Sequence, residues 1–185
     1  MPTVLSHPAV PLALGLGLSR RVLPGRLVAA GVLLSVVPDL DVVGLRLGVP
    51  YGSPFGHRGA THALAFAALV ALGGALGHRT FRVRPRTVFF FLFVAAASHG
   101  VLDAFTDGGR GVALLWPFTA RRFFAPVRPI EVAPLEASRL LTRHGAAVLL
   151  SELVWVWLPC AALAVALALW RRRGGTGRDP IRSSA

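Results

Sequence analysis

The stretch TVFFFLFVAAASHGVLDAF, residues 87–105, decides the fold. From Val88 to Ala97 it holds no polar side chain, and then Ser98, His99 and Asp103 enter within a few residues. Such a run reads as an apolar helix, and His99 and Asp103, four apart, share one face of it. An imidazole and a carboxylate are expensive at membrane depth, so the first reading of the pair is functional.

Four other apolar segments surround it. Residues 8–18 and 27–37 are each 11 residues long, the second ended by Pro38. A full crossing takes about 20 residues, so both read as short, tilted or partial helices. Residues 60–77 number 18 and read as a span, and residues 145–170 number 26, enough to cross with tilt, with Pro159 as a kink point. The fold class expected is all-α, a multi-pass membrane helical bundle of about five segments, two of them short. Residues 1–173 form one membrane-embedded domain, and the Gly/Ser/Arg-rich tail 174–185 reads as disordered.

Composition agrees. Of 185 residues, 54% are hydrophobic and 15% charged, and mean hydropathy is +0.63. Soluble domains carry about 25% charged residues. The one cysteine, Cys160, excludes an internal disulfide framework and a multi-cysteine zinc site. The net charge of +12 comes with no lysine at all. With so much Ala, Gly and Val alongside, this fits codon bias, and no arginine is read as chosen for its forked geometry. The arginines cluster between apolar runs as juxtamembrane anchors do, without the aromatic interleaving of a nucleic-acid surface, so no nucleic-acid partner is expected. The N-terminus lacks the basic start and unbroken apolar run of a cleavable signal peptide.

Three arginine clusters lie at residues 20–26, 79–86 and 171–182. Placing them on the cytoplasmic side weaves the five segments consistently and turns the N-terminus and residues 106–144 outward. The bias is 12 arginines against 8. Under that topology His7, Asp39, Asp41, His57, His62, His99 and Asp103 all gather at one membrane face. Mixed nitrogen and oxygen donors without thiolate suit Zn²⁺, Mn²⁺ or Fe²⁺, and seven groups suffice for one ion or for two held about 3.5–4 Å apart. Asp39 and Asp41 depend on a turn after Pro38 to face one ion, since an extended strand would part them. Thr61 reads as a helix cap. His78 and His144 read as solvated, Asp107 as a turn former, Cys160 as packing. Glu152 reads as an acid behind the ligands or a general base, or equally as the partner of an outer arginine.

These residues carry a family resemblance. Ser6-His7, Pro38-Asp39-Leu40-Asp41, Gly56-His57-Arg58-Gly59-Ala60-Thr61-His62, Ser98-His99-Gly100-Val101-Leu102-Asp103 and Leu114-Leu115-Trp116-Pro117 together resemble the bacterial inner-membrane metal-dependent hydrolases of the LexA-regulated, YdjM-like type. The resemblance covers residues 5–118; beyond Thr119 it is one of general character. It implies a multi-pass protein of the bacterial inner membrane with metal-supported hydrolase activity, and its shared polar positions fall on the seven residues above. Asp41 and His62 are then the catalytic candidates. Arg58 and Arg121 are the candidates for substrate contact, with Arg122 and Arg128 beside them as collectors of an anionic head group or as plain lipid anchors. The expected cofactor is one or two divalent ions. The expected partners are membrane lipid and a small-molecule or lipid-linked phosphoester substrate, with the site on the outer face. The alternatives are a non-catalytic membrane metal-binding or transport protein and a bundle that a metal merely staples. Transporters place their sites near the midplane between internal repeats, and no repeat is visible here.

Overall fold

The structure, a computed structural model, describes residues 1–134 and 137–175. Among them the chain is all-helical, with five rods and only isolated β-bridges in a long loop. The rods are α1 (Ala9–Gly17), α2 (Gly25–Leu34) continued by a 3₁₀ turn (Val37–Asp41) into α3 (Val42–Arg46), α4 (Leu64–Leu76), α5 (Pro85–Ala104), and α6 (Arg143–Glu152) running on into α7 (Leu158–Gly175). Three stretches are long and apolar enough to cross a membrane: Gly25–Arg46, Pro85–Ala104 and Arg143–Arg173.

Two boundaries differ from the sequence reading. Pro38 does not stop the second segment. It sits in the first turn of the 3₁₀ stretch, where its missing N–H is not needed, and the rod runs for 22 residues. The third segment, expected as a span, is short like the first, because Ala60–His62 form a separate 3₁₀ turn and the helix covers only 13 residues, against 9 in α1. The irregularity expected at Pro159 appears just before it, as a π-helical turn over Leu153–Trp157. Helix α7 includes Gly174 and Gly175, and the rest of the tail expected to be disordered lies outside the described residues.

Small residues let the rods approach closely, as in membrane helix packing generally. Ala67, Ala71 and Ala75 are the buried residues of α4, and a Cβ on Gly74 would fall 2.3 Å from Leu92 of α5. A Cβ on Gly31 of α2 would strike the Phe91 ring at 2.5 Å. Leu27, Ala71, Val88, Phe91 and Leu92 form the main apolar core. Large apolar side chains such as Leu33, Leu69 and Val165 stand exposed on the rod surfaces, which suits a lipid solvent.

Helix α1 runs parallel to α6–α7. Buried Glu152 accepts hydrogen bonds from the Thr3 amide, from Thr3 Oγ1 at 2.6 Å and from Ser6 Oγ at 2.6 Å, while a Cβ on Gly17 would meet Leu167 at 2.7 Å. Glu152 therefore ties down the arm that carries His7. With α4 and α5 antiparallel, the loops carrying Arg20, Arg21, Arg79, Arg82 and Arg84, and the Arg171–Arg173 run, occupy one end of the bundle. The opposite end holds the polar cluster.

Candidate metal centre

Each candidate ligand is delivered by a different local device. His7 lies in the turn before α1, next to its N-cap Pro8. Asp39 and Asp41 lie in the 3₁₀ turn after Pro38, which brings both to one side of the rod. His57 and His62 bracket a tight loop in which a Cβ on Gly59 would come 2.2 Å from the Pro54 carbonyl. His99 and Asp103 occupy one buried face at the end of α5.

The seven groups converge. His62 Nε2 lies 3.0 Å from His99 Nε2, 3.3 Å from Asp103 Oδ2 and 4.0 Å from Asp39 Oδ1. His99 Nε2 is 3.4 Å from Asp39 Oδ1. His7 Nε2 is 3.6 Å from Asp39 and 3.9 Å from Asp103, and its ring stacks on His99 at 3.7 Å. Donor atoms of His7, His99 and Asp103 lie within 4.8 Å of one another, as do those of Asp39, His57 and His62.

Their hydrogen bonds fix which nitrogen faces inward. His99 Nδ1 is 2.7 Å from the Ser35 carbonyl, which can only accept, so Nδ1 carries the proton and the Nε2 lone pair points into the cluster. Asp41 stands behind the other two rings. It takes His57 Nδ1 at 2.6 Å, His62 Nδ1 at 3.3 Å, the Thr61 hydroxyl at 2.9 Å and the Arg58 amide at 3.2 Å. A carboxylate on Nδ1 is the usual outer support of a metal-binding histidine, and it leaves Nε2 free. Thr61 serves this network and caps no helix.

Arg58 lies inside the site. Its backbone has a φ of 61°, its side chain is 1% exposed, and its guanidinium reaches Asp103 Oδ2 at 3.2 Å, the Gly108 carbonyl at 2.9 Å and Thr106 Oγ1 at 2.9 Å. Arg122, half-buried, straps the outer loops together by donating to the carbonyls of His57, Tyr51 and Ser53 at 2.9, 2.9 and 3.2 Å. Arg121 is exposed, and Arg128 stacks on Phe124. His78 and His144 lie outside the cluster, His78 on the Val83 carbonyl and His144 beside Glu131. Asp107 accepts from the Val132 amide. The roles of Ser35, Arg58 and Arg122 were not legible in the sequence. Only the place of Arg58 between two ligand histidines hinted at one of them.

The donor set fits a divalent cation. Both oxygens of Asp39, both oxygens of Asp103 and both nitrogens of His7 are buried without a hydrogen-bond partner among the described residues. Such orphans are rare in native interiors and costly unless something pairs with them. With neutral imidazoles, Asp39, Asp41 and Asp103 against Arg58 leave a formal charge of −2, which one divalent ion cancels. Without an ion the histidines divide the burden. Burial, with His99 alongside, pushes His7 down to about 3. Burial also disfavours an imidazolium at His62, but Asp103 and Asp41 outweigh it and raise that pKa to about 9.

Gly100 fixes how closely α5 approaches the His62 turn, since a Cβ there would lie 2.4 Å from the His62 carbonyl. Gly100→Ala keeps every ligand yet is expected to lower retained metal at least about tenfold, as misplacing an outer support does. Metal analysis after gel filtration checks this.

A family model described as YdjM inner membrane protein matches residues 1–174. The chain is similar to Inner membrane protein YbcI of Escherichia coli (strain K12), 49% identical over 174 residues that cover 94% of this chain and all of that protein. No solved structure matches. The chain belongs to the YdjM inner membrane protein family.

Proposed function

We propose that this YdjM-family membrane protein is a metal-dependent hydrolase, and that His7, Asp39, His57, His62, His99 and Asp103 hold one or two divalent ions, Zn²⁺, Mn²⁺ or Fe²⁺. The observation that carries the reading is the set of buried oxygens and nitrogens on Asp39, Asp103 and His7 that no hydrogen bond reaches, Asp103 Oδ2 being met by Arg58 only as an ion pair. An ion bound there supplies Lewis acidity and brings the pKa of a water down toward about 7.

The protein's own residues do the rest. Asp41 holds His57 and His62 by Nδ1, fixes their ring planes and makes them better donors. Its role is orientation behind the ligands. Arg58 fixes Asp103 and offsets its charge, and so acts on a substrate only through that carboxylate. Asp39, the least buried of the ligands at 9% though with both oxygens sealed, is where the cover over the centre is thinnest. Phosphoesters, lipid-linked ones among them, are the class to test first, because a divalent centre neutralises the charge they develop. Exposed Arg121 is placed to meet an anionic head group at the membrane surface.

A purely structural or carrier metal is the competing reading. It is favoured by the near-complete burial of every ligand but Asp39. Asp41→Asn separates the two. As a hydrolase the protein is expected to lose about 10–100-fold of its phosphoester turnover while the fold persists. A variant that keeps full turnover, or a wild type with none on any phosphoester, amide or glycoside, removes the catalytic reading.

The metal centre is proposed to face outward, opposite the arginine-rich end. Single cysteines at Arg121 and Arg172 in a Cys160→Ala background are expected to react with an impermeant thiol reagent from opposite sides of the membrane. Reaction of both from one side reverses the assignment.

A further inference from the structure

We propose that the metal centre is entered sideways from the bilayer, by the head group of a membrane-dissolved phosphoester whose apolar chain stays against the exposed face of the α2–α3 rod. For its reaction the proposal rests on the hydrolase reading; for its geometry it does not.

Depth is the first argument. Asp39 stands fourteen residues along the rod from Gly25, and His99 stands fourteen along α5 from Pro85. At 1.5 Å per residue both are about 20 Å from the arginine-rich end. A hydrocarbon core is about 30 Å thick. With the arginines at one interface, the centre lies beneath the opposite one, still beside acyl chains.

The closed axial route is the second. The loops at that end are tied across the centre. Arg122 binds carbonyls at 51, 53 and 57, Arg58 binds Gly108 and Thr106, and the Ala113 amide donates to the Arg58 carbonyl at 3.0 Å. The side chains of His7, His62, His99 and Asp103 have no exposure, and those of Asp41 and His57 have 4%. The cover is thinnest at Asp39, whose side chain is 9% exposed although both its oxygens are sealed.

The third is what borders that point. Between Arg26 and Arg46 the only charged residues are Asp39 and Asp41. The exposed large apolar residues of the rod are Leu33, Val37, Leu40 and Val43, with Leu47 just past its end and Leu40 64% exposed between the two aspartates; the exposed charged residues, Arg26 and Arg46, stand at the rod's two ends. On the other rim, the arm that carries His7 to within 3.6 Å of Asp39 exposes Val4 and Leu5. An aqueous substrate would have to pass an apolar rim to reach the centre. A lipid meets that rim with its chain and the centre with its head group, and gains from the same contacts.

Nitroxide labels test the route without a substrate. In proteoliposomes of a Cys160→Ala background, a label at Leu40→Cys is expected to collide with oxygen far more than with a water-soluble nickel chelate, as at Leu69→Cys on the lipid-facing side of α4. Arg121→Cys is expected to show the reverse. A label at 40 that behaves like the one at 121 overturns sideways entry. The second arm uses Val43→Glu, at a position 53% exposed on the rod and not itself a ligand. Its turnover of phosphatidic acid in phosphatidylcholine vesicles is expected to fall at least about tenfold more than its turnover of bis(p-nitrophenyl) phosphate in water, with metal content unchanged. An equal fall for both probes also overturns the proposal. If the protein turns over neither probe, these two phosphoesters are not its substrates, and the labels still decide the route.

Discussion

His62→Ala is expected to weaken retention of a divalent ion by more than about 100-fold, beyond the 10–100-fold typical for losing an outer support. His62 is the residue through which the centre is connected. Its Nε2 is within 4.0 Å of His99, Asp103 and Asp39, and its Nδ1 rests on Asp41. Removing the ring takes away a ligand, leaves Asp103 without the imidazole at 3.3 Å and frees Asp41 from one of its two histidines. Metal content after dialysis against a chelator measures the effect. His78→Ala, at the arginine-rich end, is the control and is expected to retain the wild-type content. If His62→Ala retains it as well, the ring is not a ligand.

Arg58→Met is expected to cost about 3–5 kcal/mol, the usual penalty for stripping the partner from a buried ion pair. The guanidinium and Asp103 are both essentially sealed from solvent. Losing the cation leaves a buried carboxylate with a formal deficit, and it also unfastens Thr106 and the Gly108 carbonyl. Denaturation in detergent micelles with excess metal and with chelator gives a second signature. The ion shares the task of neutralising Asp103, so the penalty is expected to be smaller when metal is present. Asp103→Asn in the Arg58→Met background is expected to recover part of the loss, with a coupling of about 0.5–3 kcal/mol. An Arg58→Met protein as stable as wild type would mean that Asp103 is protonated and the pair carries no charge.

Much of this was legible because hydropathy and ionisable groups alternate along the chain. Val88–Ala97 can only be an apolar helix, and His99 and Asp103 ride on its end at helical spacing. The convergence of seven polar groups follows from threading five rods with the arginine clusters at one end. What the sequence hid was local backbone. Pro38 ended a helix on paper because an interior proline breaks the hydrogen-bond ladder, yet at the start of a 3₁₀ turn it removes nothing. Residues 60–63 looked like the start of a span because they are mostly small and apolar, whereas His62 is turned inward by Asp41 and Asp103 before the helix begins at Leu64. The choice between ligand and support was equally hidden. Asp39 and Asp41 read alike in sequence, but hydrogen bonds from His57, Thr61 and the Arg58 amide occupy Asp41, while none reaches Asp39. Arg58 sits in a left-handed conformation that no composition signals, and that conformation turns a surface-looking arginine into the buried partner of Asp103.

The central claim is that the imidazoles and carboxylates of His7, Asp39, His57, His62, His99 and Asp103 surround a divalent ion. Elemental analysis combined with X-ray absorption at the metal edge, on protein purified without chelator, tests it most directly. The account predicts one or two ions per chain, with nitrogen and oxygen donors at about 2.0–2.2 Å and no sulfur. Protein that binds no divalent ion when supplied with one, or an ion with a thiolate neighbour, would contradict it.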